Sequence, residues 1–250
     1  MRVALVHDYL TQYGGAERVL EALHELFPEA PVFTSISDLS SLPPSFGSWQ
    51  IRTSPLQHLP LAPRVHRVLL PLYPSAFRSF EQALREFDLV IADSSAWAHG
   101  VVVRNDATLV CYCHSPARFL YRDQGYLGPA RLPPIAKQLT PPLFAWLRRT
   151  DRRNAARVDR YLANSRNVQR RIKAIYGRES TVVYPPIDLD RYAPTGDPPD
   201  PEPWFLVISR LVPHKRVDLA VDACARLRLP LKIIGDGRSL DELRRQAGPT

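Results

Sequence analysis

Two basic residues near the end of the chain have the spacing of a phosphate-binding loop. Arg210 and Lys215 lie in the stretch SRLVPHKRVD, between an apolar run and a helical pattern. Two fixed cations there could neutralise a diphosphate as it leaves, without a metal ion. Gly235 and Gly237 end the next apolar run, where glycine lets a nucleotide lie against the backbone. These four residues predict a site for a diphosphate-bearing ligand.

A histidine and a glycine pair are the candidates in the first part of the chain. His114 follows the apolar run TLVCYC at the exit of a predicted strand, and His7 ends an earlier one. Ligands of parallel α/β folds bind at the carboxyl ends of strands. Gly14 and Gly15 open a helical pattern whose free N–H groups could meet an anion. A plain tight turn explains the glycine pair equally well.

Asn164 and Ser165 also separate an apolar run from a helical pattern. Asn or Ser is the residue expected at a helix N-cap, and capping can coexist with ligand contact. Cys111 and Cys113 alternate along an apolar run, which predicts buried thiols on one side of a strand. No second Cys/His pair stands at zinc spacing beside them, so we expect no metal site. An odd count of three cysteines favours a reducing cytosol.

The elements that position these residues are short apolar runs that alternate with helical patterns. This alternation is typical of an α/β fold with parallel strands and crossover helices. The proline-broken stretch 55–74 predicts short helices or a mobile lid. A helix is predicted over 16–26, and strands are predicted over 3–7, 31–36, 49–53, 88–92, 108–113, 159–163 and 181–184.

A proline-rich stretch divides the chain into two predicted domains. Ala193–Pro203 has five prolines, several acids and no apolar periodicity, which is typical of a linker. The strand and helix pattern then starts afresh, with strands over 204–210 and 231–235 and helices over 217–227 and from 240. We therefore predict one Rossmann-like domain at 1–196, a second at 197–250, and a cleft between them.

The positive charge of the chain is concentrated in one stretch. Leu143–Arg178 holds eleven Lys and Arg against two acids, an excess larger than the net charge of +8 of the whole chain. Such a patch attracts nucleic acid, anionic lipid or a phosphorylated substrate, and a solvated helix surface is the plain alternative. No zinc-finger, RNP or KH pattern supports nucleic acid. Without an apolar run of about 18 residues, we expect a cytoplasmic protein that associates peripherally with the inner face of an anionic membrane.

In their order along the chain, these motifs resemble glycosyltransferase family 4, the retaining enzymes of the GT-B fold. The resemblance rests on YGGAERV, YCHSPARFLY, RYLANSRNV, VVYPPIDLDRY, SRLVPHKRVD and IIGDG, and it runs over essentially all of the chain. It implies two Rossmann-like domains with parallel sheets, the second one incomplete here. It also implies transfer of a hexosyl group from a nucleotide sugar to a glycan or lipid-linked acceptor, with no metal cofactor.

The phrases HDYLTQYGGAERV, YCHSPARFLY and VVYPPID look most like the bacterial mannosyltransferases of surface-polysaccharide assembly. This likeness favours GDP-mannose over a UDP-sugar as the co-substrate. By the resemblance, the catalytic residues would be His114, Arg210 and Lys215. The donor-binding residues would be Gly14, Gly15, Asn164, Ser165, Arg210, Lys215, Gly235 and Gly237.

The sequence departs from the family after Lys215. The family continues with further strand and helix units and with two glutamates seven residues apart, so we expect residues 1–250 alone not to transfer sugar. A nucleotide-sugar 2-epimerase shares the two-domain fold, but the sequence shows no convincing set of acid and base groups for it. The absence of the two glutamates favours a non-catalytic nucleotide-sugar binding module. The loop with Arg210 and Lys215 favours a catalytic protein.

Overall fold

The computed structural model of the protein describes residues 1–60, 69–121, 134–187, 189 and 204–247, without the side chains of residues 134–140 and of His214. The chain forms two compact units, Met1–Ile187 and Asp188–Thr250. The predicted linker Ala193–Pro203 and the predicted boundary at 196 lie outside the described residues. Each unit is therefore described by itself.

The first unit is built on a parallel sheet of seven strands. The strands are β1 (Val3–His7), β2 (Val32–Thr34), β3 (Ile51–Thr53), β4 (Leu89–Ser94), β5 (Thr108–Cys113), β6 (Arg160–Ala163) and β7 (Thr181–Val182). Their order is β3-β2-β1-β4-β5-β6-β7, and every neighbouring pair is parallel. The chain changes direction across the sheet between β1 and β4. The carboxyl ends of these two strands form the topological switch point, where ligands bind in such sheets.

Strand β4 is longer than its apolar run predicts. The prediction ended it at Ala92, but Asp93 and Ser94 continue the ladder and pair with Tyr112 and Cys113 of β5. Two polar residues can extend a buried strand here because both find hydrogen-bond partners inside the protein. The prediction of 181–184 was too long, since only Thr181–Val182 pair with β6.

Helices cover both faces of this sheet, as a parallel sheet requires. The helices are α1 (Gly15–Leu26), α2 (Tyr73–Arg78), α3 (Glu81–Leu84), α4 (Arg118–Tyr121), α5 (Pro134–Ala156) and α6 (Arg166–Tyr176). Short 3-10 helices at Pro55–His58 and Leu70–Leu72 agree with the short helices predicted over 55–74. Residues 61–68 lie outside the described part, so the mobile lid remains untested.

The core lies on both faces of the sheet. The larger cluster includes Phe33, Phe77, Leu147 and Ile172, and the smaller cluster surrounds Leu5, Leu20 and Phe46. Cys111 and Cys113 are free thiols in the larger cluster, 0% and 3% exposed, which confirms the prediction that they are buried. Apolar packing on two faces holds the strand ends in fixed relative positions, and these ends carry the polar residues described below.

The second unit contains two parallel strands and two α-helices among its described residues. These are β8 (Phe205–Ile208), α7 (Val217–Leu227), β9 (Leu231–Ile234) and α8 (Leu240–Ala247). Leu211, Val217, Val221 and Leu243 form the core between the sheet and the helices. The outward side chains of Ile208 and Ile234 are 70% and 59% exposed. The loop after β8 lies beside the loop after β9, because the two strands are parallel neighbours.

Candidate functional site

A buried carboxylate joins two histidines at the switch point of the first unit. His7 and Asp93 are paired across β1 and β4, and His114 follows the last residue of β5. His7 Nδ1 lies 2.8 Å from Asp93 Oδ2, and His114 Nε2 lies 2.6 Å from Asp93 Oδ1. Because an ionised carboxylate only accepts hydrogen bonds, both imidazoles donate to it. The structure thus brings the predicted residue His114 together with His7.

A second acid extends this row of groups. Glu17 on α1 places Oε1 3.6 Å from His7 Nε2, and its side chain is 3% exposed. Burial alone would lower the pKa of His7, but hydrogen bonds and charge from Asp93 and Glu17 outweigh it and raise the pKa to about 10. Burial alone would raise the pKa of Asp93 and of Glu17, but their histidine partners hold both below the usual values. Glu17, His7, Asp93 and His114 therefore form a row of alternating acidic and imidazole groups, called the acid–imidazole row below.

The glycine pair lies next to this row. Gly14 is the N-cap of α1, and its N–H donates to Glu17 Oε2 at 2.8 Å. A Cβ at Gly14 would lie 3.2 Å from that oxygen, whereas a Cβ at Gly15 would meet nothing within 4 Å. The N–H of Gly14, which was predicted to face an anion, is thus bonded to Glu17. The backbone at Gly15 has open space around it. Contact of Gly14 and Gly15 with a donor diphosphate stays a prediction.

Asn164 and Ser165 connect the end of β6 to the loop that carries His114. Ser165 Oγ accepts from the N–H of Val168 at 3.3 Å, which confirms it as the N-cap of α6. Asn164 Nδ2 donates to the carbonyl of His114 at 3.2 Å, and its N–H donates to the carbonyl of Cys113 at 3.3 Å. Asn164 therefore positions the backbone of His114. Contact of Asn164 and Ser165 with a ligand stays a prediction.

Sequence reasoning missed Asp93 and Glu17. A signal for Asp93 was present, because it directly follows the apolar run DLVIA in the same way that His114 follows TLVCYC. Asp8 was also missed: its carboxylate is 3% exposed and accepts from the amides of Trp97 and Ala98, both at 2.7 Å. These bonds hold the turn after β4 in place. The acid–imidazole row is thus supported by a rigid edge of the sheet.

His114 is the member of the row that a ligand would meet first. Its side chain is 14% exposed, whereas those of His7, Asp93 and Glu17 are at most 3% exposed. Its Nε2–H is directed at Asp93, so Nδ1 is the ring nitrogen that Asp93 does not engage. In the part of the chain that the structure describes, no group of three or more His, Cys, Asp or Glu is arranged to hold a metal ion. The row can hydrogen-bond a ligand through the ring nitrogen of His114 that Asp93 does not engage.

The predicted residues of the second unit lie in two loops that are joined to each other. Arg210 and Lys215 lie between β8 and α7, as predicted, and the Lys215 side chain is exposed. The N–H of Leu211 donates to the carbonyl of Asp236 at 2.8 Å, which links this loop to the loop after β9. The residues brought together in this unit are Arg210, Lys215, Gly235 and Gly237.

Gly235 and Gly237 are required by the contact between these loops. Their φ angles are +157° and +149°, and an added Cβ would collide with the carbonyl oxygens of Ser209 and Leu211. The backbone of residues 209–211 therefore occupies the space where the side chains of other residues at 235 and 237 would lie. The glycines hold the Arg210 loop in place, and their contact with a base or ribose stays a prediction.

We expect the free energy of unfolding to fall as the pH rises from about 7 to about 10. The pKa of His7 is about 10 in the folded protein against an ordinary value of 6.5. Its protonation therefore stabilises the fold fully below pH 6.5, and this contribution is lost as the pH rises through about 10. The full effect is roughly 3–5 kcal/mol. Urea unfolding at several pH values measures the free energy of unfolding, and His7→Gln should make it depend less on pH. The same pH dependence in both proteins would contradict the raised pKa of His7.

The comparisons with known proteins concern both the family and the fold. The family model for Glycosyltransferase Family 4 matches residues 13–191. The structure of HepE from Anabaena in complex with UDP is 19% identical, with a TM-score of 0.58, and covers 98% of this chain and 65% of that chain. Sucrose-phosphate synthase from Thermosynechococcus elongatus is 13% identical, with a TM-score of 0.65, and covers 99% of this chain and 69% of that chain. No curated protein sequence matches significantly.

These findings settle the family and the fold class. The chain spans about two thirds of the length of the two solved structures, and at these identities they show the fold alone. The family match covers more than half of the chain and includes Gly14, His114, Asn164 and Ser165. No helix in the described ranges is long and apolar enough to cross a membrane. The chain has the predicted GT-B type of α/β fold and belongs to glycosyltransferase family 4.

Proposed function

We propose that the protein is a retaining glycosyltransferase that moves a hexosyl group from a nucleotide sugar to a glycan or lipid-linked acceptor. Family membership supports the transferase. The observation that carries the site is the acid–imidazole row at the switch point, where His114 is backed by the buried Asp93. A row of this kind presents one oriented imidazole to a substrate.

GDP-mannose is the donor that we favour. The support is the likeness of HDYLTQYGGAERV, YCHSPARFLY and VVYPPID to bacterial mannosyltransferases of surface-polysaccharide assembly. A UDP-sugar is the second candidate, because HepE was solved in complex with UDP. Whether the nucleotide of the donor carries guanine or uracil therefore has to be decided by measuring nucleotide binding.

In the proposed reaction, an acceptor hydroxyl forms a bond to the anomeric carbon while the bond from that carbon to the β-phosphate oxygen breaks. Attack on the face from which the diphosphate leaves retains the configuration, and the acceptor proton passes to the leaving phosphate. Arg210 and Lys215 stabilise the charge that grows on the diphosphate. His114 contacts the transferred sugar through the ring nitrogen that Asp93 does not engage, and the open backbone at Gly15 approaches the diphosphate.

Calorimetric titration with GDP and UDP tests the donor, and we expect GDP to bind at least about tenfold more tightly, a difference of about 1.4 kcal/mol. Tighter binding of UDP would overturn GDP-mannose in favour of a UDP-sugar. His114→Ala should weaken binding of the intact sugar nucleotide more than binding of the nucleoside diphosphate, since His114 contacts the sugar. His58→Ala, at an exposed histidine, is the matched control.

The nature of the product tests the reaction. NMR of the glycoside formed from an α-linked donor should show an α-linkage, and a β-linkage would overturn retention. Release of a free 2-epimer would support the epimerase instead. Donor binding without turnover on any acceptor of the glycan or lipid-linked class, by a chain that includes the second domain with the two glutamates that the resemblance implies, would support a nucleotide-sugar binding module.

A further inference from the structure

The long helix α5 exposes one face that combines a tryptophan with arginines. Its opposite side is buried, with Leu147, Asp151, Asn154 and Ala155 at most 6% exposed. The exposed residues recur at helical spacing and include no acid. They are Pro141, Pro142, Ala145, Trp146, Arg149, Arg152, Arg153 and Ala156, and are called the α5 face below. The N-terminal half of the α5 face is apolar and the C-terminal half is cationic.

A buried carboxylate fixes the rotation of α5 about its axis. Asp151 is completely buried, and its Oδ2 accepts from the Tyr121 hydroxyl at 2.8 Å. His99 Nε2 lies 3.2 Å from the other carboxylate oxygen. Turning the helix to bury Trp146 would break the hydrogen bond from Tyr121 and move the carboxylate away from His99, which is strongly unfavourable for a buried carboxylate. Trp146 therefore stays on the surface, where its side chain is 47% exposed.

The structure divides the basic stretch 143–178 into engaged and available cations. Six of its eleven cations bind groups of the protein: Arg148, Arg152, Arg157, Arg171, Lys173 and Arg178. Arg152 lies with its guanidinium 5.7 Å from the centre of the Tyr121 ring. Among the residues that the structure describes, no Asp or Glu forms an ion pair with Arg149, Arg152 or Arg153. The α5 face therefore keeps its positive charge.

We propose that the α5 face docks the protein on membranes that contain anionic phospholipid. A tryptophan ring is favourable at the level of the lipid headgroups, where its apolar body and its N–H both find partners. Arginine pairs with phosphate through two hydrogen bonds, and each basic residue near an anionic surface strengthens binding about fivefold. Single-stranded nucleic acid fits less well, since its binding uses a groove with several stacking aromatic rings. This proposal does not depend on the identity of the donor or on catalysis.

Co-sedimentation of the purified chain with vesicles tests the proposal. We expect binding to vesicles with added phosphatidylglycerol, little binding to pure phosphatidylcholine, and a decline as salt rises from about 0.1 M to about 0.5 M. Arg149→Ser/Arg152→Ser/Arg153→Ser should weaken binding about 10²-fold, following the fivefold effect of each residue. Trp146→Ala should weaken it as well, with circular dichroism showing that both variants are folded.

The matched control removes the same charge elsewhere. Arg226→Ser/Arg244→Ser/Arg245→Ser changes exposed residues of α7 and α8 and should leave most of the binding intact. An equal loss in this control would overturn the proposal, because total charge and not the α5 face would then decide binding. Equal binding to neutral and anionic vesicles, or tighter binding to a single-stranded RNA than to anionic vesicles, would overturn it too.

Discussion

Replacing Arg210 or Lys215 by alanine is expected to lower kcat of the active enzyme by about 10²–10³-fold. In the proposed reaction, negative charge grows on the diphosphate as it leaves, so a fixed cation interacts more strongly with the transition state than with the bound donor. The KM for the donor should therefore rise much less than kcat falls. Steady-state kinetics with saturating acceptor measures both effects.

The structure gives the backbone of Arg210 and Lys215 a fixed position. The loop that carries them is tied to the loop after β9 through Leu211 and Asp236, and the N–H of Lys215 donates to the carbonyl of Val212 at 2.9 Å. These bonds fix the backbone from which the two exposed side chains extend, which would reduce the reorganisation needed in the proposed reaction.

Arg216 offers the matched control for this prediction. It is the next cation along the chain, and its guanidinium binds Asp218 with Nη2 2.9 Å and Nε 3.0 Å from the two carboxylate oxygens. Its charge is engaged there, so Arg216→Ala should change kcat by less than about threefold. Changes of less than about threefold for both Arg210→Ala and Lys215→Ala would show that the leaving-group assignment is wrong.

Asp93→Asn is expected to lower kcat by about 10²-fold or more, with an accompanying loss of stability of roughly 3–5 kcal/mol. Asparagine keeps the shape of aspartate but can accept through only one oxygen, so one of the two imidazoles loses its acceptor. His114 is then free to adopt another tautomer or orientation. The buried cation of His7 is left with Glu17 as its acidic partner, which explains the destabilisation.

Asp151→Asn separates the expected kinetic effect of Asp93→Asn from its effect on stability. Asp151 is also a completely buried carboxylate beside a histidine, but it lies on α5 and bonds to Tyr121. We expect it to destabilise the protein without changing kcat or the pH profile of kcat/KM for the folded enzyme. Asp93→Asn should lower kcat of the folded enzyme, because it weakens the contact that orients the His114 ring. Equal kinetic losses in the two variants would mean that Asp93 acts through stability alone.

A count of the charged residues in the basic stretch does not show which of the cations are available to bind another molecule. The sequence places eleven cations between 143 and 178, but it does not show that Arg157 and Arg178 bind carbonyl groups of the protein. The residues of the α5 face can be identified only from the packed structure, which shows that the side of the helix with Asp151 is buried. The vesicle experiment therefore concerns three arginines and one tryptophan of a single helix.

Local patterns by themselves determined much of this protein. The alternation of apolar runs and helical spacing predicted all seven strands of the first unit and the buried Cys111 and Cys113. The residue types of Asn164 and Ser165 predicted a helix N-cap at this pair, and Ser165 is that N-cap. The alternation also predicted the loop with Arg210 and Lys215. These features depend on residues within a few positions of each other, so the period of the side chains is sufficient to find them.

The acid–imidazole row was decided by the tertiary structure alone. His7 and Asp93 are separated by 86 positions, and they become neighbours because β1 and β4 pair across the switch point. Strand order is set by the packing of the whole sheet, and no local period encodes it. Polarity ended the predicted strand at Ala92, whereas the folded protein continues it through Asp93, because two imidazoles satisfy a carboxylate that would otherwise be too unfavourable to bury.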